Sequence, residues 1–257
     1  MLEESCYRRE WNDMDGLRKE ERREKEIDKT ESGVFDKRTM LTLSKLMSDK
    51  IIDHLDFPIA SGKESFVFCA KGTDGKNLAV KIYPINTSIF KNMMRYVEGD
   101  PRYEYVKRDI KSIIFTWARK EFVNLKEMRK AGVRTPEPIE VRNNVLVMEY
   151  IGDENGPAPM LKDVALDRKT AEEYFMQIIE YIRAMYGANL VHGDLSEYNI
   201  LVWNGPVVID VGQAVTLEHH YANDMLIRDL RNIVKFFNKY GVEERIEEIE
   251  QKVKSND

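Results

Sequence analysis

Asp194, Asn199 and Asp210 are the residues of this chain best placed by type and spacing to do chemistry. They lie in His192-Gly193-Asp194-Leu195-Ser196-Glu197-Tyr198-Asn199 and in Ile209-Asp210-Val211-Gly212. Phosphoryl transfer asks a protein for positioning and charge neutralisation more than for covalent work. An aspartate beside the acceptor orients it and takes its proton. An asparagine five residues on and an aspartate after the next hairpin can hold a metal that bridges phosphate oxygens. Kinase loops space these groups as H-x-D-x-x-x-x-N and then D-x-G. Asp194 is therefore the expected proton acceptor, with Asn199 and Asp210 as the expected metal ligands. Either half alone can still be read as a capped loop or a strand end, the weaker of its two readings; both together, in order, leave little room for it. His192 reads as a structural hydrogen-bonder.

A second constellation lies upstream. Lys81, in Ala79-Val80-Lys81-Ile82, follows a hairpin turn and is suited to hold the α/β-phosphates while paired with a glutamate on the next helix. Glu121 is the candidate partner and Glu127 the alternative. Ser61-Gly62-Lys63 opens a polar bend that offers backbone donors, a hydroxyl and the Lys63 charge to a triphosphate, although it holds only one glycine of the usual G-x-G-x-x-G. Met148-Glu149-Tyr150-Ile151 is placed as a hinge, with the Glu149 and Ile151 backbone toward an adenine edge. ATP and Mg²⁺, with Mn²⁺ as a plausible substitute, are the implied ligands.

The elements that must position these groups follow from periodicity. Residues 1–33 are charged and poor in apolar positions, predicting a partly disordered arm. Residues 34–56 carry apolar positions at helical spacing, a short N-terminal helical extension. Alternating strands, with Asp74-Gly75 and Asn143-Asn144 at turns, fill 57–151 as a small antiparallel lobe. Within it, 84–110 reads as a long mobile insertion, because it holds two prolines, Gly99-Asp100-Pro101 and scattered charge. Ile113–Ala131 is a predicted helix stopped by Gly132. A mainly helical second lobe spans 152–257, with a helix over 170–186, a hairpin over 200–209 and helices near 222–239 and 243–254. The fold class is α+β, two-lobed and protein-kinase-like.

Composition narrows the setting. No run approaches the roughly 20 apolar residues of a membrane span, and the N-terminus lacks a secretory apolar stretch. Two distant cysteines, Cys6 and Cys69, do not make a disulfide framework, so a cytoplasmic protein without membrane partners is expected. The net charge of −5 excludes an overall basic nucleic-acid binder. The charge is uneven, however: Arg102–Arg134 holds ten Lys/Arg against four Asp/Glu. That stretch is either a solvated helix face or a surface for RNA or another polyanion.

Leu190-Val191-His192-Gly193-Asp194-Leu195-Ser196-Glu197-Tyr198-Asn199-Ile200-Leu201 resembles the catalytic-loop signature of the RIO atypical serine/threonine kinases. Ile209-Asp210-Val211-Gly212-Gln213-Ala214 is similar to their metal loop, and Ser61-Gly62-Lys63-Glu64-Ser65 to their phosphate loop. The likeness runs from about Val34 onward. Val34-Phe35-Asp36-Lys37-Arg38-Thr39 resembles the type-1 branch, and the upstream stretch is too short for the winged-helix domain of the type-2 branch. The resemblance implies ATP-dependent serine phosphorylation, autophosphorylation and ATP hydrolysis, in the setting of a pre-ribosomal small-subunit particle. It also implies that Asp210 accepts a phosphoryl group as an aspartyl-phosphate. Gly193 stands where ordinary kinases carry arginine, and no A-P-E follows, so an extended peptide groove is not expected. Thr87, Ser88 and Ser112 are the candidate autophosphorylation sites. A small-molecule phosphotransferase and a nucleotide-gated binding module are the competing readings.

Overall fold

The computed structural model describes residues 35–255; the predicted N-terminal arm lies outside them. The first lobe opens with helix α1 (Lys37–Ser48), started by Asp36, whose carboxylate accepts from the Thr39 N–H at 2.7 Å. Strands β1 (His54–Ser61), β2 (Phe66–Lys71), β3 (Asn77–Ile82), β4 (Pro138–Arg142) and β5 (Val145–Glu149) form one antiparallel sheet in the order β1-β2-β3-β5-β4. Strand alternation gives each face its own core. Leu78, Val80 and Ile82 of β3, with Val145 and Val147 of β5, pack under Leu43 and Leu46 of α1. Lys81 and Leu146 therefore point to the opposite face, where helix α3 lies.

Residues 84–110 differ from the mobile insertion that their prolines and charges suggested. They hold helix α2 (Thr87–Val97) and a 3₁₀ turn at Pro101–Tyr103. Phe90, Met93, Met94 and Val97 recur at helical spacing and pack on Ile113, Ile114 and Trp117 of α3 (Ile110–Lys130). The flanking breakers masked that stripe. Helix α3 also starts a turn earlier than its apolar residues indicated, because Asp109 caps it by accepting from the Ser112 N–H at 2.9 Å. It ends as expected at Gly132, with φ +90°. There the Val133 and Gly132 N–H groups return to the Met128 and Arg129 carbonyls.

The predicted linker after β5 contains a two-strand ladder, β6 (Gly152–Asp153) with β7 (Gly156–Pro157). The second lobe follows: α4 (Arg168–Gly187), β8 (Leu190–Val191), β9 (Ile200–Val202), β10 (Pro206–Val208), β11 (Val215–Thr216), α5 (Ala222–Asn238) and α6 (Ile246–Lys254). Phe175, Ile178 and Ile182 of α4 meet Leu226, Leu230 and Phe237 of α5 in a core that reaches Leu125 and Met128 of α3. Among the described residues, no helix is long and apolar enough to cross a membrane.

Candidate active site

The cleft face of the sheet is built around Lys81. Its Nζ donates to Glu121 at 2.8 and 2.9 Å and to Asp210 Oδ1 at 2.9 Å. Glu121 also accepts from the Tyr83 hydroxyl. Burial draws the Lys81 ammonium down, but Asp210 and Glu121 outweigh it and hold it well above its ordinary range. The same cation holds the Asp210 carboxyl below its usual value. Glu121 is thus the partner of Lys81. Glu127, the alternative, is turned to Arg102 at 3.0 Å.

Asp194 and the metal loop are brought together by the β9–β10 hairpin. The Ile209 N–H donates to the Asn199 carbonyl at 3.0 Å, so Asn199 and Asp210 stand on adjacent strand ends. Asn199 Nδ2 donates to the Asp194 carbonyl at 2.9 Å, which leaves its Oδ1 without a protein partner among the described residues. Asp210 is solvent-facing, with its side chain 55% exposed, and sits at φ +56°. A non-glycine residue in that region costs about 1–2 kcal/mol, and Asp is among the side chains that adopt it most readily. A free amide oxygen beside an open carboxylate is a hard-oxygen donor pair of the kind Mg²⁺ accepts when phosphate oxygens and water complete its shell. No cluster of three or more His, Cys, Asp or Glu able to hold a metal alone occurs among the described residues.

His192 is buried and keeps its structural role. Its Nε2 lies 3.2 Å from the Ile209 carbonyl and its Nδ1 accepts from the Asp194 N–H at 3.3 Å. Burial holds the imidazole down to about 4, hence neutral. At Gly193 φ is +80° and a Cβ would meet the Gln213 carbonyl at 3.2 Å, which closes the position that ordinary kinases give to arginine.

Four supporting residues on α3 and α5 escaped the sequence reading. Asp229 of α5, buried, accepts from the Gly193 N–H at 2.8 Å and the Leu195 N–H at 2.9 Å, bracketing Asp194. Burial pushes its carboxyl up to about 7 against those two donors. Arg228 donates to the Gly193 carbonyl from the same turn. On α3, the fully buried Lys120 donates to the Gly212 carbonyl at 3.0 Å and also to that of Ala214, and Asn124 Nδ2 donates to the Val211 carbonyl at 2.8 Å. The Glu64 carboxyl is raised by burial and then by the charge of Asp210.

Ser61 ends β1 and Gly62 and Lys63 open the β1–β2 bend, all three exposed, with the Gly62 N–H donating to the Ser65 carbonyl at 3.0 Å. In the hinge, the Glu149 N–H is committed to the Glu137 carbonyl and the Ile151 carbonyl to the Ala158 N–H. The Ser112 hydroxyl is occupied by Asp109 at 2.6 Å. The side chains of Thr87 and Ser88 lie outside the described residues.

Burial, and then Asp210, raise the Asp194 carboxyl, whereas Arg228 and Asn199 lower it. A base must be ionised to act, so the rate falls as pH drops through its pKa. Arg228→Ala removes a cation and is expected to move the acid limb of the kcat/KM profile to higher pH, with Arg228→Lys restoring it. A limb that stays in place would put the base elsewhere.

A lysine–glutamate pair under an antiparallel sheet, facing the Asp194 loop and Asp210 of the second lobe, is the arrangement of a protein-kinase-like fold. A sequence model of the RIO domain matches residues 66–250. The chain is 46% identical over 217 residues to the RIO-type serine/threonine-protein kinase Rio1 of Haloferax volcanii, covering 84% of this chain and 74% of that one. It is 40% identical over 213 residues to human serine/threonine-protein kinase RIO1, covering 81% of this chain but only 38% of the longer human one. The crystal structure of the Rio2 kinase–ADP/Mg²⁺–phosphoaspartate complex from Chaetomium thermophilum superposes with a TM-score of 0.62 at 21% identity, over 83% of this chain and 66% of that chain, a likeness of fold. The chain belongs to the RIO family of serine/threonine protein kinases, and its curated relatives at 39–46% identity include Rio1 proteins.

Proposed function

We propose that the protein binds ATP with Mg²⁺ in this cleft and transfers the γ-phosphoryl group to a serine, to its own chain and to water, in the service of small-ribosomal-subunit maturation in the cytoplasm. The observation that carries the chemistry is the junction at Lys81, which ties Glu121 of α3 to Asp210 of the metal loop. In this reading the Glu149 carbonyl accepts from the adenine amino group and the Ile151 N–H donates to the ring, while Lys81, Lys63 and the Ser61–Gly62 bend hold the phosphates. Asn199 and Asp210 hold Mg²⁺, or Mn²⁺ in its place, which when bound neutralises charge on the phosphate oxygens. Asp194 orients the acceptor hydroxyl and takes its proton. The Rio2 complex contains a phosphoaspartate. By analogy Asp210, with Oδ1 on Lys81, can attack the γ-phosphorus. A carboxylate O–P bond forms, the bond to ADP breaks, and water then releases inorganic phosphate and restores the carboxylate.

Purified protein with γ-labelled ATP and Mg²⁺ tests this when bound label and free phosphate are followed together. Phosphate release with hydroxylamine-labile label, both lost in Asp210→Asn, is the expected result for the phosphoaspartate route. Acid-stable phosphoserine alone would leave serine transfer standing and remove that route. Absence of turnover would overturn the enzymatic reading.

A further inference from the structure

The metal loop rests on one face of α3. Trp117, Lys120, Glu121 and Asn124 stand at i, i+3, i+4 and i+7, so their side chains share a face, and all four are buried. Glu121 reaches the loop's carboxylate through Lys81. The other three meet its backbone. Asn124 Nδ2 donates to the Val211 carbonyl at 2.8 Å and to that of Ala214 at 3.1 Å. Lys120 Nζ donates to the Gly212 carbonyl at 3.0 Å and also to that of Ala214. Gly212 lies against Trp117, where a Cβ would come within 3.0 Å of the indole Nε1.

Lys120 is the unfavourable member of this set. Its hydrogen bonds among the described residues go only to carbonyls, and its Nζ is 5.6 Å from the Trp117 ring centroid. Burial brings the ammonium down to about 7. Burying such a cation costs several kcal/mol, and an apolar side chain of similar volume often packs at least as well. Core packing therefore does not account for a lysine here. What the lysine adds is reach, because one Nζ spans two carbonyls two residues apart. Those carbonyls belong to the 3₁₀ turn at Val211–Gln213 and the residue after it, and Asp210 caps that turn. Lys81 fixes only Oδ1 of Asp210. The direction of Oδ2 follows from the backbone that Lys120 holds.

We propose that Lys120 is a positioning residue of the metal site, which aims Asp210 by holding the Gly212 and Ala214 carbonyls against α3. The role rests on the reading of Asn199 and Asp210 as the Mg²⁺ ligands. Lys120 stays beneath the loop and acts through Asp210. Since Lys120 and Glu121 are neighbours, one turn of α3 holds the loop's backbone and, through Lys81, its carboxylate. A shift of α3 disturbs both together.

The test is titration of Mg²⁺ into the chain saturated with a fluorescent ADP analogue, for the intact protein, Lys120→Met, Asp210→Asn and the double variant. The half-saturating Mg²⁺ concentration reads the metal site without turnover. Methionine fills the volume and removes the donor. It is expected to raise that concentration about 10–100-fold, the usual cost of losing a group that orients a metal ligand, with metal-free ADP affinity unchanged. The double variant should be no weaker than Asp210→Asn alone, because effects passing through one carboxylate do not multiply as independent ones do. Lys120→Gln, which keeps a donor without the charge, should recover part of the Mg²⁺ affinity, and it replaces the methionine if that variant does not fold. A lowered melting temperature with an unchanged Mg²⁺ half-saturation overturns the proposal, as do multiplied losses in the double variant. Failure of both Lys120 variants to fold makes the lysine a core residue only and overturns it as well. If Mg²⁺ has no effect on ADP binding by the intact chain, the metal reading of Asn199 and Asp210 falls and takes the role of Lys120 with it.

Discussion

Replacing Asp194 by asparagine is expected to slow phosphoryl transfer by about 10²–10⁴-fold, the range over which a positioned general base contributes. The change keeps size and one oxygen but removes the ability to accept a proton. Asp194 makes its side-chain contacts through Oδ2, from Asn199 Nδ2 at 3.5 Å and Gln213 Nε2 at 3.3 Å. Those contacts are long, so losing one moves little structure. Its backbone is fixed separately by His192 and by the groups on either side. Nucleotide affinity should stay within a few-fold, because Lys81 and Asp210 are untouched. Single-turnover transfer from labelled ATP, alongside equilibrium titration with a fluorescent nucleotide, separates the two effects. A variant that keeps more than half its rate would mean that another group takes the proton. Glu64 is then the next carboxylate to examine, since it feels the charges of Asp210, Lys81 and Asp194.

The groups of the site that could be read from the sequence are those lying in short, ordered strings. Asp194, Asn199 and Asp210 are separated by one loop and one hairpin, so their spacing records their geometry. Lys81 was legible from its strand, and Glu121 was placed ahead of Glu127 as its partner, although both lie on α3. The structure decides it because strand alternation turns Lys81 to the α3 face at the level of Glu121. What was hidden depends on contacts between distant segments. Asp229 is 34 and 36 residues from the two N–H groups it holds, and Lys120 is 92 from the Gly212 carbonyl. One local sign was available for each: an acid and a cation on the apolar side of an otherwise amphipathic helix. Asp229 sits among Met225, Leu226, Leu230 and Ile233, all buried, where an unpaired charge is too costly to retain. Helix α2 was missed for the opposite reason, since prolines, Gly99 and scattered charges at its borders outweighed four apolar residues at helical spacing.

Asp229→Ala should be as damaging as a change in the cleft, although the residue touches neither nucleotide nor acceptor. Its two oxygens serve different donors: Oδ2 takes the Gly193 N–H and Oδ1 the Leu195 N–H, on either side of Asp194. Alanine leaves two buried N–H groups unpaired, at about 1–3 kcal/mol each. For a chain of this size that corresponds to a melting temperature lower by about 5–15 °C. Asn232 and Arg228 still hold the Leu195 and Gly193 carbonyls, so the loop should stay folded but lose its set position. A displacement of about 1 Å at the base costs on the order of 10² in rate. Asparagine separates these effects. It retains one acceptor and sets an amide N–H against the other donor, while removing the cost of a buried charge. Asp229→Asn is therefore expected to recover part of the stability and little of the rate, read by thermal unfolding and by kcat at saturating ATP. If alanine lowers neither quantity, the α5 carboxylate is not what fixes the catalytic loop, and the His192 bridge to the Ile209 carbonyl must hold it without that help.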